Sequence, residues 1–221
     1  MGFYFWEVKE MAKEFERRFY TFEPSTEKRE NGTVHISGRP IVYNSPTDIG
    51  GYFREIIMPG ALDGADLRDV PLLVNHNDRM IPVARSRRNN GNSTMQLTVD
   101  SEGMGFDADI DVMRNVTAAE LYSSIDRGDM NGMSFAFLIA DERWEDLETD
   151  YPTRYINKFS VIREISAVTF PAYDATEINA RSKDALDSAR AELESSRRKA
   201  DAEVETSDIN MARLRAKIKM M

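Results

Sequence analysis

Turn-forming clusters recur between short apolar runs from residue 17 to residue 180, and this punctuation restricts the chain to a fold built mainly of strands. Segments 17–23 and 33–43 read as strands separated by the cluster Glu30, Asn31 and Gly32, the signature of a hairpin. Pro46, Gly50 and Gly51 mark a loop, 53–58 is a further strand closed by Pro59-Gly60, and 70–74 is a short apolar run ending at Asn75. Segments 94–99 and 105–112 flank Asp100-Ser101-Glu102-Gly103, a second hairpin signal. Segment 117–126 has helical spacing, with Leu121 and Ile125 four residues apart and Gly128 where a helix C-terminus favours glycine. Two strongly apolar strands, 133–140 and 156–170, complete the set. Many strands with one or two helices predict a β-barrel or a sandwich of α+β character.

Three regions follow. Residues 1–16 form a lead-in, within which Met11 offers a second start. Residues 17–180 form the compact domain, and residues 181–221 form a charged helical tail outside the core. Apolar positions in the tail, such as Ala189, Leu193 and Val204, are too sparse to hold a core alone. A solvated arm and a partner-docking segment both fit this pattern. The tail carries 10 Lys and Arg against 8 Asp and Glu, which leaves the rest with 19 basic and 30 acidic residues. An acidic body is a poor nucleic-acid binder, because phosphate affinity comes from clustered Lys and Arg. The basic stretch from Arg213 to Lys219 suits an acidic partner helix better than DNA. No apolar run reaches the length of a membrane-spanning helix, roughly 18 residues or more. The N-terminus lacks the basic and small-residue features of a signal peptide.

The chain has no cysteine and only two histidines, His35 and His76. Disulfides, thiolate metal sites and a cysteine nucleophile are thereby excluded. A covalent mechanism must use Ser, Thr, Lys or a carboxylate, and a serine needs a base such as histidine to take its proton. His76 lies where the run Leu72-Leu73-Val74 gives way to polar Asn75-His76-Asn77-Asp78, half in a core and half in a cleft. His35 lies mid-strand between Val34 and Ile36 and reads as structural. Ser134 follows Gly128 and Gly132, with Ala136 on its own strand face and Met133, Phe135 and Phe137 on the other. A small residue in a strand serves packing as readily as chemistry, so the local pattern leaves both readings of Ser134 open. A period of two places Glu164 with Ile162, Ser166, Val168 and Phe170. A carboxylate on such a face is costly unless paired, with histidine or arginine as the candidate partner. Ser166 is a rival nucleophile on that face. Asp107, Asp109 and Asp111 alternate along one strand but lack the turn and bidentate Glu of a Ca²⁺ loop, so no metal and no cofactor is expected.

These residues fall within blocks that together resemble the tailed-phage prohead protease family, the capsid maturation serine peptidases allied to herpesvirus assemblins. The blocks begin with Gly38-Arg39-Pro40-Ile41-Val42-Tyr43-Asn44-Ser45 and Phe53-Arg54-Glu55-Ile56-Ile57-Met58-Pro59-Gly60. They continue through Asp69-Val70-Pro71-Leu72-Leu73-Val74-Asn75-His76-Asn77 and Gly132-Met133-Ser134-Phe135-Ala136-Phe137. The last is Arg163-Glu164-Ile165-Ser166-Ala167-Val168-Thr169-Phe170-Pro171-Ala172-Tyr173. The resemblance implies a mostly antiparallel β-barrel flanked by a few helices, and a serine endopeptidase with Ser134 as nucleophile, His76 as base and Glu164 as third member. Ala136 departs from the glycine common two residues after the serine. The implied partners are the major capsid protein and its scaffold segment, cleaved in the host cytoplasm inside the assembling prohead. Self-cleavage near the start of 181–221 is the matching expectation for the tail. Since assemblins gain activity on dimerising, a homodimer or higher oligomer is expected too. The alternative is a non-enzymatic scaffold or capsid-assembly protein on the same fold. Oxyanion-hole donors are sought at the Asn131-Gly132 turn and the loop near Arg85.

Overall fold

The computed structural model describes residues 15–21, 25–29, 32–169, 187, 189–202, 204–206 and 211. Its strands are β1 (Glu16–Thr21), β2 (Ser25–Lys28), β3 (Val34–Val42), β4 (Thr47–Ile49), β5 (Phe53–Ile57), β6 (Asp69–Val74), β7 (Ala84–Arg87), β8 (Met95–Asp100) and β9 (Gly103–Ile110). Helix α1 (Val116–Asp126) follows, and then β10 (Gly132–Glu145) and β11 (Thr153–Val168). The lead-in to residue 14, the Pro171-Ala172-Tyr173 end of the last motif, the 180/181 boundary and the basic stretch from Arg213 lie outside the described residues.

The strands divide into a seven-stranded sheet, β1-β10-β11-β5-β4 with β6 and β7 added beside β11, and a four-stranded sheet, β2-β3-β9-β8. The α+β class stands, but the described strands form two sheets and no closed barrel. The reason is local to the first strands. The hairpin expected between 17–23 and 33–43 is not made; β3 pairs instead with β2, while β1 crosses to the other sheet and pairs with β10. Most pairings are antiparallel. β5 and β6 are the exceptions, lying parallel to β11 at its Thr153–Ile156 end and its Ile165–Ala167 end respectively.

The two sheets share one core, in which Phe135, Phe137 and Ile165 of the larger sheet meet Ile36, Met104 and Ile110 of the smaller. Each such side chain contributes roughly 1.5–3 kcal/mol on burial. Alternation on β10 holds as the sequence predicts, since Met133, Phe135 and Phe137 all lie in this core. On β11 it does not hold throughout. Phe135 pairs with Ile165, but Phe137 pairs with Ile162, and an irregularity lies between. One extra residue in β11 turns Ile162 into the core with Phe137, away from the face of Glu164. Helix α1 is capped as its sequence demands: Asn115 accepts from the N–H of Ala118, and Gly128, at φ 78°, follows the C-cap residue Arg127.

Beside the main core, Ala189 and Leu193 of the C-terminal helical segment bury against Ile49 and Phe53, with Trp144 packed edge-on to Phe53 at 4.9 Å. Val204 and Met211 are exposed. Next to this cluster is a group of buried charges. Glu55 accepts from Arg18 through both oxygens, at 2.6 Å each, and from Arg154 at 3.1 Å. Glu16 and Glu142 also bind Arg154, and Glu192 reaches both arginines, at 3.4 and 2.9 Å. Burial opposes the charge on Arg18 and Arg154, but the surrounding carboxylates prevail and hold both guanidinium groups ionised. Burial also pushes the Glu192 carboxyl well above the usual range, against the pull of Arg154. At Glu16 burial is outweighed by the hydrogen bond from Glu192 and by Arg154 and Arg18, which bring it down to about 2. Of the two neighbouring carboxyls, burial thus raises Glu192 while the arginines and Glu192 itself hold Glu16 down.

Candidate active site

β10, β11 and β6 lie side by side, and each supplies one part of the site. In the antiparallel β10–β11 pair, Ser134 is opposite Ser166 and Ala136 opposite Glu164. Directly opposed residues project to the same face, with Cβ atoms about 4.5–5.5 Å apart. Ser134, Ser166 and Glu164 therefore share a face, away from the core side chains Phe135 and Ile165. On the other edge of β11, β6 runs parallel with Leu73 against Ser166 and Val74 against Ala167. His76 follows two residues after β6 ends.

The chain turns sharply to place it. Asn75 and His76 have φ of 51° and 56°, in the left-handed region that Asn and His enter more readily than most residues. The turn is fastened to the end of β11. The N–H of Asn75 donates to the carbonyl of Ala167 at 2.8 Å, and the Asn75 amide pairs with Thr169, whose N–H donates to Asn75 Oδ1 at 3.1 Å. The main-chain N–H of His76 donates to Ser166 Oγ at 3.2 Å.

So held, the imidazole Nδ1 meets Glu164 Oε1 at 2.5 Å. Both side chains are largely enclosed, at 12 % and 8 % exposure. The buried carboxylate is thus paired with histidine rather than arginine, and its second oxygen accepts from Ser166 Oγ at 2.6 Å. With Nδ1–H directed at the carboxylate, Nε2 is the nitrogen left in the acceptor form. Such a pair can orient an imidazole and stabilise its positive charge once it takes a proton.

Ser134 is fully buried, and its Oγ makes no hydrogen bond among the described residues. The hydroxyl-to-imidazole contact that proton transfer needs is therefore not formed in this arrangement. A buried hydroxyl left so costs about 1–3 kcal/mol, which a purely structural position would shed by carrying alanine.

The other sequence candidates lie elsewhere. His35 sits on β3 between Asp107 and Asp109, 3.3 and 3.1 Å from their carboxylates, with Arg29 beside it. Asp111 caps the turn before α1, accepting from the N–H groups of Met113 and Arg114. At Arg85 the guanidinium donates to Asp69 through Nε and Nη2, and the main-chain N–H donates to Thr94 Oγ1. Ser166, read from sequence as a rival nucleophile, instead gives its proton to Glu164. The Asn75–Thr169 clamp went unread, although an asparagine between a strand and a histidine is a signal for a left-handed turn.

A sequence model of the family described as caudovirus prohead serine protease matches residues 22–189. No curated protein and no solved structure matches the chain. The matched span covers most of the 221 residues and includes β6, β10 and β11 with the residues they carry. The chain belongs to the caudovirus prohead serine protease family.

Proposed function

We propose that the protein is a serine endopeptidase in which Ser134 is the nucleophile, His76 the general base and Glu164 the group that orients the imidazole. The observation that carries this reading is the 2.5 Å contact of His76 Nδ1 with Glu164 Oε1, on the strand face that also bears Ser134. In the proposed reaction Ser134 Oγ attacks the scissile carbonyl while His76 Nε2 accepts the hydroxyl proton. His76 then protonates the leaving amine, and water, activated by the same imidazole, hydrolyses the acyl-enzyme. A rotation of the Ser134 side chain or of the ring must first bring Oγ and Nε2 within hydrogen-bond reach, a tightening common between resting and substrate-bound sites.

The proposed substrates are the scaffold segment of the major capsid protein and the protease's own chain, cut inside the assembling prohead in the host cytoplasm. The proposal extends to kinship with herpesvirus assemblins and to a homodimer or higher oligomer as the active form. Co-expression of Ser134→Ala with the capsid protein tests the core of it. Trimming of the scaffold segment should fall more than about a thousandfold. Normal trimming by this variant would end the reading. Self-cleavage is tested separately by mass spectrometry of matured particles: loss of a fragment beginning near residue 181 is expected, and an intact C-terminus refutes it.

A further inference from the structure

Ser166 is fully buried on β11, two residues from Glu164 and directly opposite Ser134. A serine hydroxyl has one proton to give. Here it goes to Glu164 Oε2 at 2.6 Å, while the same oxygen accepts from the main-chain N–H of His76 at 3.2 Å. One hydroxyl thus ties the carboxylate to the backbone of the residue that bears the imidazole. A carboxylate held at one oxygen alone can swing about its side-chain torsions. Fixing Oε2 sets the plane of the group and leaves Oε1 aimed at Nδ1. The bond from the N–H of His76 also holds that residue in its left-handed conformation, φ 56°, which costs energy and persists only where neighbours enforce it.

We infer that Ser166 is a positioning residue that locks the Glu164–His76 pair in its working geometry. The inference rests on the reading of Ser134, His76 and Glu164 as the catalytic group. Ser166 itself touches no reacting atom. Its proton is committed to Glu164, so it is not a second nucleophile in this arrangement.

The test uses the full chain and two measurements. One is the rate of modification by a fluorophosphonate probe. In that step an Oγ–P bond forms, fluoride leaves, and the hydroxyl proton passes to His76. The other is the downfield proton resonance of His76 Nδ1–H in the resting protein, read in a His35→Gln background so that a single histidine remains. Ser166→Ala should label at residue 134 about ten- to a hundredfold more slowly, the loss expected when a hydrogen bond to a charged group is removed. The Nδ1–H signal should move upfield or broaden. Ser166→Thr, which keeps the hydroxyl, should restore rate and resonance toward the parent.

A merely structural serine predicts a lower melting temperature with the resonance unmoved, and that result overturns the proposal. Parent-like labelling together with a parent-like resonance in Ser166→Ala overturns it too. If Ser166→Thr fails to fold, the Ser166→Ala spectrum alone decides. Failure of the underlying reading shows separately, as a label in the Ser134→Ala variant or a parent label mapping away from residue 134. A free protein that takes no label leaves the resonance, which requires no turnover, to decide.

Discussion

Replacing Glu55 by glutamine isolates the energetic role of the buried charge cluster that joins β1, β5, β11 and the C-terminal helical segment. The substitution keeps size and shape and removes one negative charge. Glu55 is 2 % exposed and receives three hydrogen bonds from two guanidinium groups, Arg18 and Arg154, exposed at 4 % and 2 %. Breaking a buried ion pair by neutralising one partner typically costs about 3–5 kcal/mol, because the other charge stays buried without compensation. Glu16 and Glu142 remain against Arg154, so the lower end, about 3 kcal/mol, is expected. At roughly 2–4 °C per kcal/mol for a domain of this size, the melting temperature should fall by about 6–12 °C. Urea unfolding followed by circular dichroism and by Trp144 fluorescence gives the free energy; Trp144 lies beside Arg154, 5.5 Å from its guanidinium carbon. Asp66→Asn, which breaks the solvent-exposed pair with Arg68, is the control and should leave the midpoint nearly unchanged. The difference should persist in high salt, since ions screen exposed pairs and hardly reach buried ones. A Glu55→Gln midpoint equal to that of Asp66→Asn would refute the reasoning.

Attachment of the C-terminal segment should depend on pH in both directions. Burial raises the Glu192 carboxyl, so its contribution is complete below the ordinary value of 4.5 and is lost as pH rises through the raised value. Glu16, held down to about 2 despite burial by Glu192, Arg154 and Arg18, contributes above 4.5 and loses this as pH falls towards 2. Protection of the amides over 189–202, with the intrinsic base-catalysed rate divided out, should therefore fall as pH rises through the raised Glu192 value, and Glu192→Gln should abolish that fall; protection that does not change with pH counts against this reading. Gly103→Ala should destabilise by more than about 3 kcal/mol, because φ is 141° and an added Cβ would lie 2.0 Å from the carbonyl oxygen of Ile41; a parent-like melt contradicts this. Asn75→Ala should cost about 1–3 kcal/mol through the lost Thr169 hydrogen bonds and slow the reaction through His76; unchanged stability and rate together refute it.

Most of the longer strands could be read from the chain because their apolar alternation is strong; 133–140 falls within β10, and 156–170 overlaps β11 up to its end at Val168. β2, β4 and β7 escaped notice because they are three or four residues long and largely polar. The partition into two sheets was hidden for a different reason. β1 pairs with a strand more than a hundred residues away, and no local signal specifies that choice over the nearer β3. The β11 irregularity was equally silent, since a strict period of two carries Ile162 to the wrong face. At the site, scarcity narrowed the choice: a carboxylate amid apolar residues asked for a partner, and if that was histidine it had to be His35 or His76; Glu164 meets His76. Ser166 defeated the same logic, because a hydroxyl that anchors a carboxylate and one that attacks a carbonyl look alike in sequence. Only the direction in which its proton points separates them.

The family-matched span opens at residue 22, immediately after β1 ends at Thr21. Yet β1 lies along β10 from Gly132 to Phe137, with Phe19 opposite Ser134. A chain trimmed to the matched span would bare a ribbon of unsatisfied amides and carbonyls beside Ser134, and such a ribbon recruits whatever extended peptide it meets. The six residues just upstream of the family's boundary are thus what keeps that flank of the serine's strand closed to other chains.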